Sequence, residues 1–278
     1  MSAVTPATAT TAHVVLAVKD LVQAKTRLAE AMPTEQRAAL VLAMLTDTLG
    51  AALRSPEVTA AHVVTRDPAV AAAAKSCGAA VLADPESEGL NHALEHAAAI
   101  LSGQRVVALQ PDLPALRTGE LTAALASARS QVERCFVADR QGTGTTLLTG
   151  IDGTNPPLFG DASAARHQDS GAQRLAGLWP GLRCDVDTVA DLATALQLGV
   201  GAATGAVIDR WGTAATVAEH SGGEIALRTD DGRLIRCDEA AAQLAGWRQL
   251  RPGQRVRVHP GRDGAALLLT VAASTPPG

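Results

Sequence analysis

The chain has 278 residues, of which 47% are hydrophobic and 19% are charged, and its formal net charge is −4. This length suits one domain of about 200 residues with a small second domain. The charge argues against nucleic acid as a partner, because it excludes a general basic coat. With two Phe, three Trp and no Tyr, a module that stacks bases on aromatic rings would be poorly equipped.

The four cysteines lie far apart in the sequence and form no C-x-x-C pair. Their spacing argues against a zinc site or a disulfide framework and favours a reducing cytoplasm. No apolar run reaches the roughly 18–20 residues that a membrane span needs. Residues 1–12 are predicted to be a disordered tail rich in Thr and Ala. They lack the basic and apolar regions of a signal peptide. We therefore expect a cytoplasmic protein without a membrane partner.

Apolar, β-branched segments alternate with helical segments of about 10–18 residues through the first two thirds of the chain. The first predicted strand is Val14–Val18, and the first long helix is Glu35–Ala52. The other predicted strands are His62–Thr65, Ala80–Ala83, Arg105–Gln110 and Cys135–Ala138, and the other helices are Asp67–Cys77, Leu90–Leu101, Glu120–Arg129 and Thr188–Leu198. This alternation predicts an α/β domain, residues 13–203, with a mostly parallel sheet. Such sheets bind ligands beyond the carboxyl ends of their strands.

The pattern changes after about Gly205, where short strands are separated by turn signals. The predicted strands are Gly205–Val217, Glu224–Arg228, Leu234–Cys237, Arg255–His259 and Ala266–Ala272. They predict a second, all-β domain of roughly 70 residues, 204–278, resembling a small barrel.

Two of the three lysines in the chain, Lys19 and Lys25, lie six residues apart in the loop after the first strand. A lysine ammonium group is a compact charge that suits phosphate. A solvated loop is the alternative interpretation.

Three aspartates are candidate metal ligands. Asp112 follows an apolar strand directly, between two prolines, and Asp185 and Asp187 project from the same side if their segment is extended. Together they could hold one or two Mg²⁺ ions through oxygen ligands. The alternatives are that Asp112 caps a turn, and that Asp187 or Thr188 caps the helix that follows.

Gly89 and Asn91 stand at the start of a predicted helix. Glycine permits close approach of a ligand, and the Asn91 amide can read a base or sugar edge. A helix N-cap is an equally good interpretation of Asn91.

Two later segments, Gly142–Thr146 and Phe159–His167, offer backbone N–H groups and hydroxyls to an anion. Ser163 and His167 are four residues apart and would share a helix face. A Ser–His–Asp hydrolase is conceivable, although no G-x-S-x-G motif is present.

These signals fall in the segments VKDLVQAKTRL, DTL, GLNHAL, LQPDLPAL, GTGTT, FGDASAARH and LRCDVDTVADL. In this order, over about residues 14–200, they resemble the guanylyltransferases of deazaflavin coenzyme F-420 biosynthesis. The resemblance implies a nucleotidyltransferase fold with a Rossmann-like, GT-A-like α/β core. It also implies transfer of GMP from GTP to the phosphate of a three-carbon acid, with release of pyrophosphate.

The resemblance also implies roles for individual residues. Mg²⁺ would be held by Asp112, Asp185 and Asp187. The acceptor's carboxylate would bind at Thr145, Gly160 and Ser163. GTP would lie over the loop that contains Lys19, Lys25 and Arg27 and near Gly89 and Asn91, and the catalytic residues would be Lys19, Lys25 and Asp112.

The acceptor is predicted to be phosphoenolpyruvate. The chain has 24 Lys plus Arg, only three of them Lys, and is rich in Ala, as in high-GC bacteria; the resemblance associates bacterial members with phosphoenolpyruvate and archaeal members with 2-phospho-L-lactate. 3-Phosphoglycerate is a further alternative acceptor, and the transferase that consumes the product is a candidate partner.

Two other classes of function stay open. One is another metal-dependent nucleotidyltransferase or glycosyltransferase. The other is an RNA-associated protein that uses the C-terminal domain, because GWRQLRPGQRVRV faintly resembles a cold-shock-type OB barrel. That segment lacks the aromatic strand motifs that stack bases.

Overall fold

The structure is a computed structural model that describes residues 11–21, 25–29, 31–85, 89–130, 134–221, 223–239, 242, 246–247, 249–261 and 266–271. The chain divides into two compact units. The first comprises Met1–Val18, Leu49–Pro111 and Arg117–Arg183, and the second comprises Lys19–Thr48, Asp112–Leu116 and Cys184–Gly278.

The strands of the first unit are β1 (Ala12–Ala17), β2 (Val58–Thr65), β3 (Ala80–Ala83), β4 (Arg105–Leu109), β5 (Cys135–Ala138), β6 (Thr145–Thr149) and β7 (Gln173–Arg174). The described helices are α1 (Thr26–Ala29), α2 (Thr34–Leu53), α3 (Pro68–Ser76), α4 (Leu90–Ile100), α5 (Thr118–Arg129), α6 (Ser163–Asp169), α7 (Val189–Leu198) and α8 (Ala202–Trp211). The strands of the second unit are β8 (Thr213–Ser221), β9 (Glu224–Thr229), β10 (Leu234–Asp238), β11 (Arg255–Pro260) and β12 (Ala266–Val271).

The seven strands of the first unit form one sheet in the order β3-β2-β1-β4-β6-β5-β7. Strands β3, β2, β1 and β4 pair in parallel, and β6 runs antiparallel to both of its neighbours. Val14, Val15 and Leu16 of β1 are all fully buried, as expected of a central strand covered on both faces. The prediction of a mostly parallel α/β sheet is confirmed.

Local sequence explains where two of the helices begin. Asp67 is the N-cap of α3, and its carboxylate accepts hydrogen bonds from the N–H groups of Ala69 and Val70 in the first turn of the helix. Proline occupies the first position of α3. Thr188 and Asp191 form a reciprocal capping box at the start of α7.

The second unit contains a five-stranded antiparallel sheet in the order β10-β9-β8-β11-β12. Its buried side chains, among them Val217, Leu227 and Val256, form a separate hydrophobic core. In the part of the chain that the structure describes, β10 and β12 each pair with one neighbour and not with each other. The separate β-sheet is confirmed, but closure into an OB or cold-shock-type barrel is not.

The predicted strand Gly205–Val217 is wrong in its first half, because residues up to Trp211 belong to α8 and β8 begins at Thr213. A helix forms here because a residue that is distant in sequence caps its first turn. The Asp47 carboxylate accepts from the N–H groups of Ala203 and Thr204 at 3.1 and 2.8 Å, which stabilises a helix start there. The predicted boundary between residues 203 and 204 falls inside this helix, and the division into domains stays a prediction.

Within the described residues, no helix combines the length and the apolar character needed to cross a membrane.

Candidate active site

Lys25 joins two of the predicted metal ligands in the second unit. Its Nζ donates hydrogen bonds to Oδ2 of Asp112 and, at 2.5 Å, to Oδ1 of Asp187. The Lys25 and Asp112 side chains are only 15% and 7% exposed, whereas that of Asp187 is 46% exposed. Burial alone would lower the pKa of Lys25, but the charges of the two carboxylates and the hydrogen bonds to them raise it above its ordinary value. Lys25 is therefore a cation at neutral pH.

The backbone at Lys25 is left-handed, with φ at 55°, which is uncommon for a residue other than glycine. Helix α1 begins at the next residue, and the N–H groups of Leu28 and Ala29 donate to the Lys25 carbonyl. Such backbone strain is frequent at functional sites. Lys19 and Arg27 are exposed, so of these three predicted nucleotide-binding cations the structure brings only Lys25 to the carboxylates.

Main-chain hydrogen bonds hold the segment that carries Asp112. The Asp112 carbonyl accepts a hydrogen bond from the N–H of Val186 at 3.2 Å. The N–H of Leu113 donates to Oγ1 of Thr48 at 3.1 Å, and Thr48 in turn donates to the Met44 carbonyl of α2. Thr48 thus fixes the backbone beside a carboxylate that is 64 positions further along the chain.

The carboxylate of Asp187 is not used as a helix cap. The capping of α7 is done by Thr188 and by Asp191, which accepts from the Thr188 hydroxyl at 2.8 Å. The sequence left Asp187 and Thr188 as candidate caps of this helix. Thr188 is confirmed as the cap, and the Asp187 side chain bonds to Lys25 instead.

The residues around Lys25 fit a magnesium ion. Oδ1 of Asp112 is buried and has no hydrogen-bond partner among the described residues, a state that costs free energy unless a donor or cation approaches. Carboxylate oxygens are the ligands that Mg²⁺ prefers. Asp185 is half-buried, and no three Asp, Glu, His or Cys side chains of the described residues meet as a metal cluster. The structure therefore brings Asp112 and Asp187 together, and the inclusion of Asp185 stays a prediction.

In the first unit, Thr145 and His167 share a hydrogen bond within the core. Oγ1 of Thr145 lies 2.9 Å from Nδ1 of His167, and the N–H of Leu158 donates to Nε2 at 2.9 Å. Burial first, and then the positive charges of Arg134 and Arg166, lower the pKa of His167 to about 4. The imidazole is therefore neutral at physiological pH.

Ser163 and His167 do not form a hydrolase pair. Ser163 is the first residue of α6 and is 2% exposed, but both ring nitrogens of His167 already have partners, the Thr145 hydroxyl and the Leu158 amide. The hydrolase alternative is wrong for this pair, because a nucleophile requires a base within hydrogen-bond reach.

The side chain of Asn91 forms two hydrogen bonds with the main chain of Phe159. Its Nδ2 donates to the Phe159 carbonyl at 3.1 Å, and its Oδ1 accepts from the Phe159 N–H at 2.8 Å. The N-cap of α4 is Gly89, with φ at 105°, a conformation that favours glycine. The interpretation of Asn91 as the N-cap is wrong, whereas its contact with a nucleotide stays a prediction.

The predicted acceptor residues Gly160 and Ser163 flank an unusual stretch of backbone. Gly160 has φ at 117° and Ala162 has φ at 52°. A Cβ on Gly160 would lie 2.9 Å from Nη2 of Arg166, so a side chain at this position would crowd the guanidinium group. Asn91 fixes the residue before Gly160, and Thr145, Gly160 and Ser163 all lie in the first unit.

In the predicted anion-binding segment Gly142–Thr146, here called the Gly/Thr loop, three backbone amides are not available to a ligand, because the Asp139 side chain binds them. Its carboxylate accepts from the N–H groups of Gly142, Thr143 and Gly144 at 2.5, 2.9 and 2.7 Å. Asp139 follows the last residue of β5 directly. Asp112 likewise lies close to the end of a strand, a few residues after β4. The position of a carboxylate just after a strand was the signal that could have identified it. Residues 145–149, in part predicted as this loop, form β6.

Two structural supports were missed because their partners are remote in sequence. Asp47 and Thr48 belong to the segment DTL, which carried part of the family resemblance without a stated role. Asp47 caps α8, and Thr48 holds the main chain next to Asp112.

The chain is similar to a known family and to named relatives. A family model described as guanylyl transferase CofC like matches residues 12–174. A phosphoenolpyruvate guanylyltransferase from Mycolicibacterium paratuberculosis (strain ATCC BAA-968 / K-10) is 53% identical over 200 residues, which are 70% of this chain and 90% of that protein. A protein of the same name from Geodermatophilus obscurus is 52% identical over 200 residues, 70% of this chain and 93% of the relative.

Among solved structures, a putative nucleotide-diphospho-sugar transferase from Desulfovibrio desulfuricans G20 superposes with a TM-score of 0.53 at 19% identity. The match covers 72% of this chain and 94% of that one. This likeness concerns the fold alone, and it confirms a nucleotidyltransferase-like α/β architecture.

Proposed function

The chain belongs to the CofC-like family of guanylyltransferases, and we propose that it transfers GMP from GTP to the phosphate group of phosphoenolpyruvate. Pyrophosphate is released, and the product is enolpyruvyl-diphospho-guanosine, an intermediate for coenzyme F-420 biosynthesis. The observation that carries the proposal is the placement of Lys25 against Asp112 and Asp187. The name shared by the relatives at 53% and 52% identity supports phosphoenolpyruvate as the acceptor.

Catalysis of this transfer depends on neutralising the negative charge of the phosphates more than on acid–base chemistry. An oxygen of the acceptor's phosphate attacks the α-phosphorus of GTP and forms the new P–O bond. The bond from the α-phosphorus to the bridging oxygen breaks, and pyrophosphate leaves with the electron pair. No general base is needed, because the attacking phosphate is already anionic, and positioning and neutralisation of charge supply most of the catalysis.

Asp112, Asp185 and Asp187 are proposed to hold Mg²⁺, whose charge when bound offsets that of the phosphates. The fit rests on Oδ1 of Asp112, which is buried and lacks a hydrogen-bond partner among the described residues. Lys25 keeps the carboxylates of Asp112 and Asp187 together and supplies a positive charge for phosphate oxygens. Lys19 lies in the same predicted nucleotide loop and adds a second, exposed cation.

The remaining predicted contacts keep their proposed roles. GTP is bound near Arg27, Gly89 and Asn91, and the acceptor's carboxylate is bound by Thr145, Gly160 and Ser163. This proposal is supported by the nearly complete burial of Thr145 and Ser163, because a carboxylate held away from water binds hydroxyl and amide donors more strongly.

The reducing cytoplasm is the proposed compartment. No disulfide joins the cysteines at positions 77, 135, 184 and 237, as is usual for intracellular proteins. The transferase that consumes the product is the proposed partner.

Among the described residues of the C-terminal sheet, nothing favours RNA as a ligand. Two arginines of the sheet are paired with acidic side chains, Arg255 with Asp230 at 2.6 Å and Arg236 with Glu224 at 3.0 Å. Paired guanidinium groups offer little charge to a phosphate backbone.

The proposal is tested by pyrophosphate release from the four ribonucleoside triphosphates, each offered with phosphoenolpyruvate, 2-phospho-L-lactate or 3-phosphoglycerate. We expect turnover with GTP, the highest kcat/KM with phosphoenolpyruvate, and loss of turnover in Asp112→Asn. Asp209→Asn is the matched control, because Asp209 is a 63% exposed side chain of α8. Higher kcat/KM with 2-phospho-L-lactate would reassign the acceptor, and turnover with another nucleotide alone would overturn the guanylyltransferase proposal.

A further inference from the structure

His167 has no role in the reaction as proposed, although its surroundings determine its chemical state. Its imidazole is fully buried. The ring packs edge-on against Phe159, with centroids 5.2 Å apart and planes at 75°, and lies 6.0 Å from the ring of Phe136. A ring held in this way cannot turn to exchange its two nitrogens without disturbing the core around it.

The hydrogen bonds of His167 select one tautomer. The N–H of Leu158 donates to Nε2 at 2.9 Å, so Nε2 must present its lone pair. In a neutral imidazole the hydrogen is then on Nδ1, which lies 2.9 Å from Oγ1 of Thr145. Nδ1–H therefore donates to the Thr145 hydroxyl oxygen.

This assignment leaves the hydroxyl hydrogen of Thr145 for another acceptor. No acceptor for it is found among the described residues, although Thr145 is only 4% exposed. A hydroxyl that accepts one hydrogen bond becomes a better donor in the next, because hydrogen bonds in a chain polarise one another. The Thr145 hydroxyl can thus donate a hydrogen bond to an anion.

We propose that His167 is a positioning residue for the acceptor: through Nδ1–H it orients the Thr145 hydroxyl as a donor to the acceptor's carboxylate, and through Nε2 it fixes Leu158 in the segment that leads to Gly160. This inference rests on the proposed function, since it deepens the description of the acceptor pocket. His167 itself touches neither substrate.

The first test compares His167→Gln with Thr145→Val and with the double variant, at saturating GTP and Mg²⁺. Gln can replace Nε2 as the acceptor for Leu158 but loses the donor to Thr145. We expect the KM for phosphoenolpyruvate to rise about 10- to 100-fold in each single variant, the range for a hydrogen bond to a charged group. The KM for GTP should stay unchanged. The double variant should be no worse than Thr145→Val, because both changes remove the same interaction.

His259 provides a matched control in the second unit. It is also fully buried, its pKa is also lowered to about 4, and its Nε2 lies 2.9 Å from the Thr270 hydroxyl. His259→Gln should lower the melting temperature without changing the KM for phosphoenolpyruvate. Equal effects of the two histidine substitutions on both KM values, or additive effects of His167→Gln and Thr145→Val, would overturn the proposal.

A measurement on the unmodified protein does not depend on whether a variant folds. Nitrogen-15 spectra of the histidine rings should show His167 neutral and protonated at Nδ1 at about pH 7. The Nδ1 resonance should move when phosphoenolpyruvate is added to the enzyme with GTP and Mg²⁺, and not when GTP and Mg²⁺ are added alone. A ring protonated at Nε2, a cationic ring, or no response to phosphoenolpyruvate would contradict the inference. Absence of pyrophosphate release by the wild-type protein would instead contradict the proposed function.

Discussion

The ammonium nitrogen of Lys25 lies 2.5 Å from Oδ1 of Asp187, although 162 positions separate the two residues. The same nitrogen contacts Asp112, so one positive charge faces two carboxylates and the group keeps a net charge of −1. A partly buried group with this charge attracts a further cation. The arrangement is therefore suited to gain a metal ion and, with it, a nucleotide polyphosphate.

Substituting Lys25 should make the protein more dependent on magnesium. In Lys25→Met the carboxylates of Asp112 and Asp187 face each other without a cation, so the melting temperature without metal should fall. Added Mg²⁺ should then raise it by more than in the wild type, because the ion replaces the lost charge. Thermal unfolding across a Mg²⁺ titration measures this effect. Lys75→Met, on an exposed position of α3, is the control, and an equal Mg²⁺ response in all three proteins would contradict the expectation.

The three aspartates are expected to act as a unit in catalysis. Asp→Ala at residue 112, 185 or 187 should lower kcat by orders of magnitude while circular dichroism shows an intact fold. Double substitutions should cost little more than single ones, because removal of one ligand already disables the site. Steady-state pyrophosphate release is the measurement. Near-normal activity of Asp185→Ala together with loss of activity in Asp187→Ala would restrict the site to the pair that the structure joins.

Asn91 is expected to support the acceptor segment as well as the nucleotide. Asn91→Ala removes two hydrogen bonds to the Phe159 main chain and should lower the free energy of unfolding by about 1–3 kcal/mol. The KM for phosphoenolpyruvate should rise, because Gly160 follows Phe159 directly. Asn155→Ala, in an exposed turn, is the control. An effect of Asn91→Ala on the KM for GTP alone would favour a purely nucleotide-binding role.

Much of the α/β framework follows from local sequence, whereas the pairing of functional groups does not. The apolar runs Ala80–Ala83 and Cys135–Ala138 were predicted with the bounds that the structure has, because each strand is one continuous apolar run. Cys135–Ala138 is buried throughout, whereas Ala80 and Ala83 are exposed. Helix α8 was predicted as strand, since its start depends on Asp47, 156 positions away.

The candidate site shows the same limit. Spacing placed Asp112, Asp185 and Asp187 after predicted strands or in an extended segment, but nothing local indicates that Lys25 would bond to two of them. The Gly/Thr loop looked free to bind an anion because Asp139, which occupies its amides, contributes no motif. The partners of His167 also come from outside its helix.

Acidification is expected to destabilise the fold through two buried histidines. Burial is the main cause that lowers the pKa of His167, with Arg134 and Arg166, and of His259, with Arg257, in both cases to about 4. In the unfolded chain these groups titrate near 6.5. Between about pH 6.5 and pH 4 the unfolded state therefore binds more protons, and the free energy of unfolding falls as the pH falls.

Urea unfolding at about pH 7 and about pH 5 measures this effect, which should be of order 1 kcal/mol for each histidine. His259→Gln should remove its share of the pH dependence, and His96→Gln, at a half-buried position of α4, is the control. A free energy of unfolding that is independent of pH in this range would show that the two imidazoles are not held neutral.

The most direct test of the central claim is the phosphorus-31 spectrum of the reaction of the purified protein with GTP, phosphoenolpyruvate and Mg²⁺. Attack by the acceptor's phosphate on the α-phosphorus predicts loss of the phosphoenolpyruvate and GTP signals and equimolar appearance of pyrophosphate. Two new, mutually coupled diphosphate resonances should appear with them, and none of these changes should occur with Asp112→Asn. Release of inorganic phosphate in place of pyrophosphate, or a product with an isolated GMP phosphorus and an unchanged phosphoenolpyruvate signal, would contradict guanylyl transfer to the acceptor's phosphate.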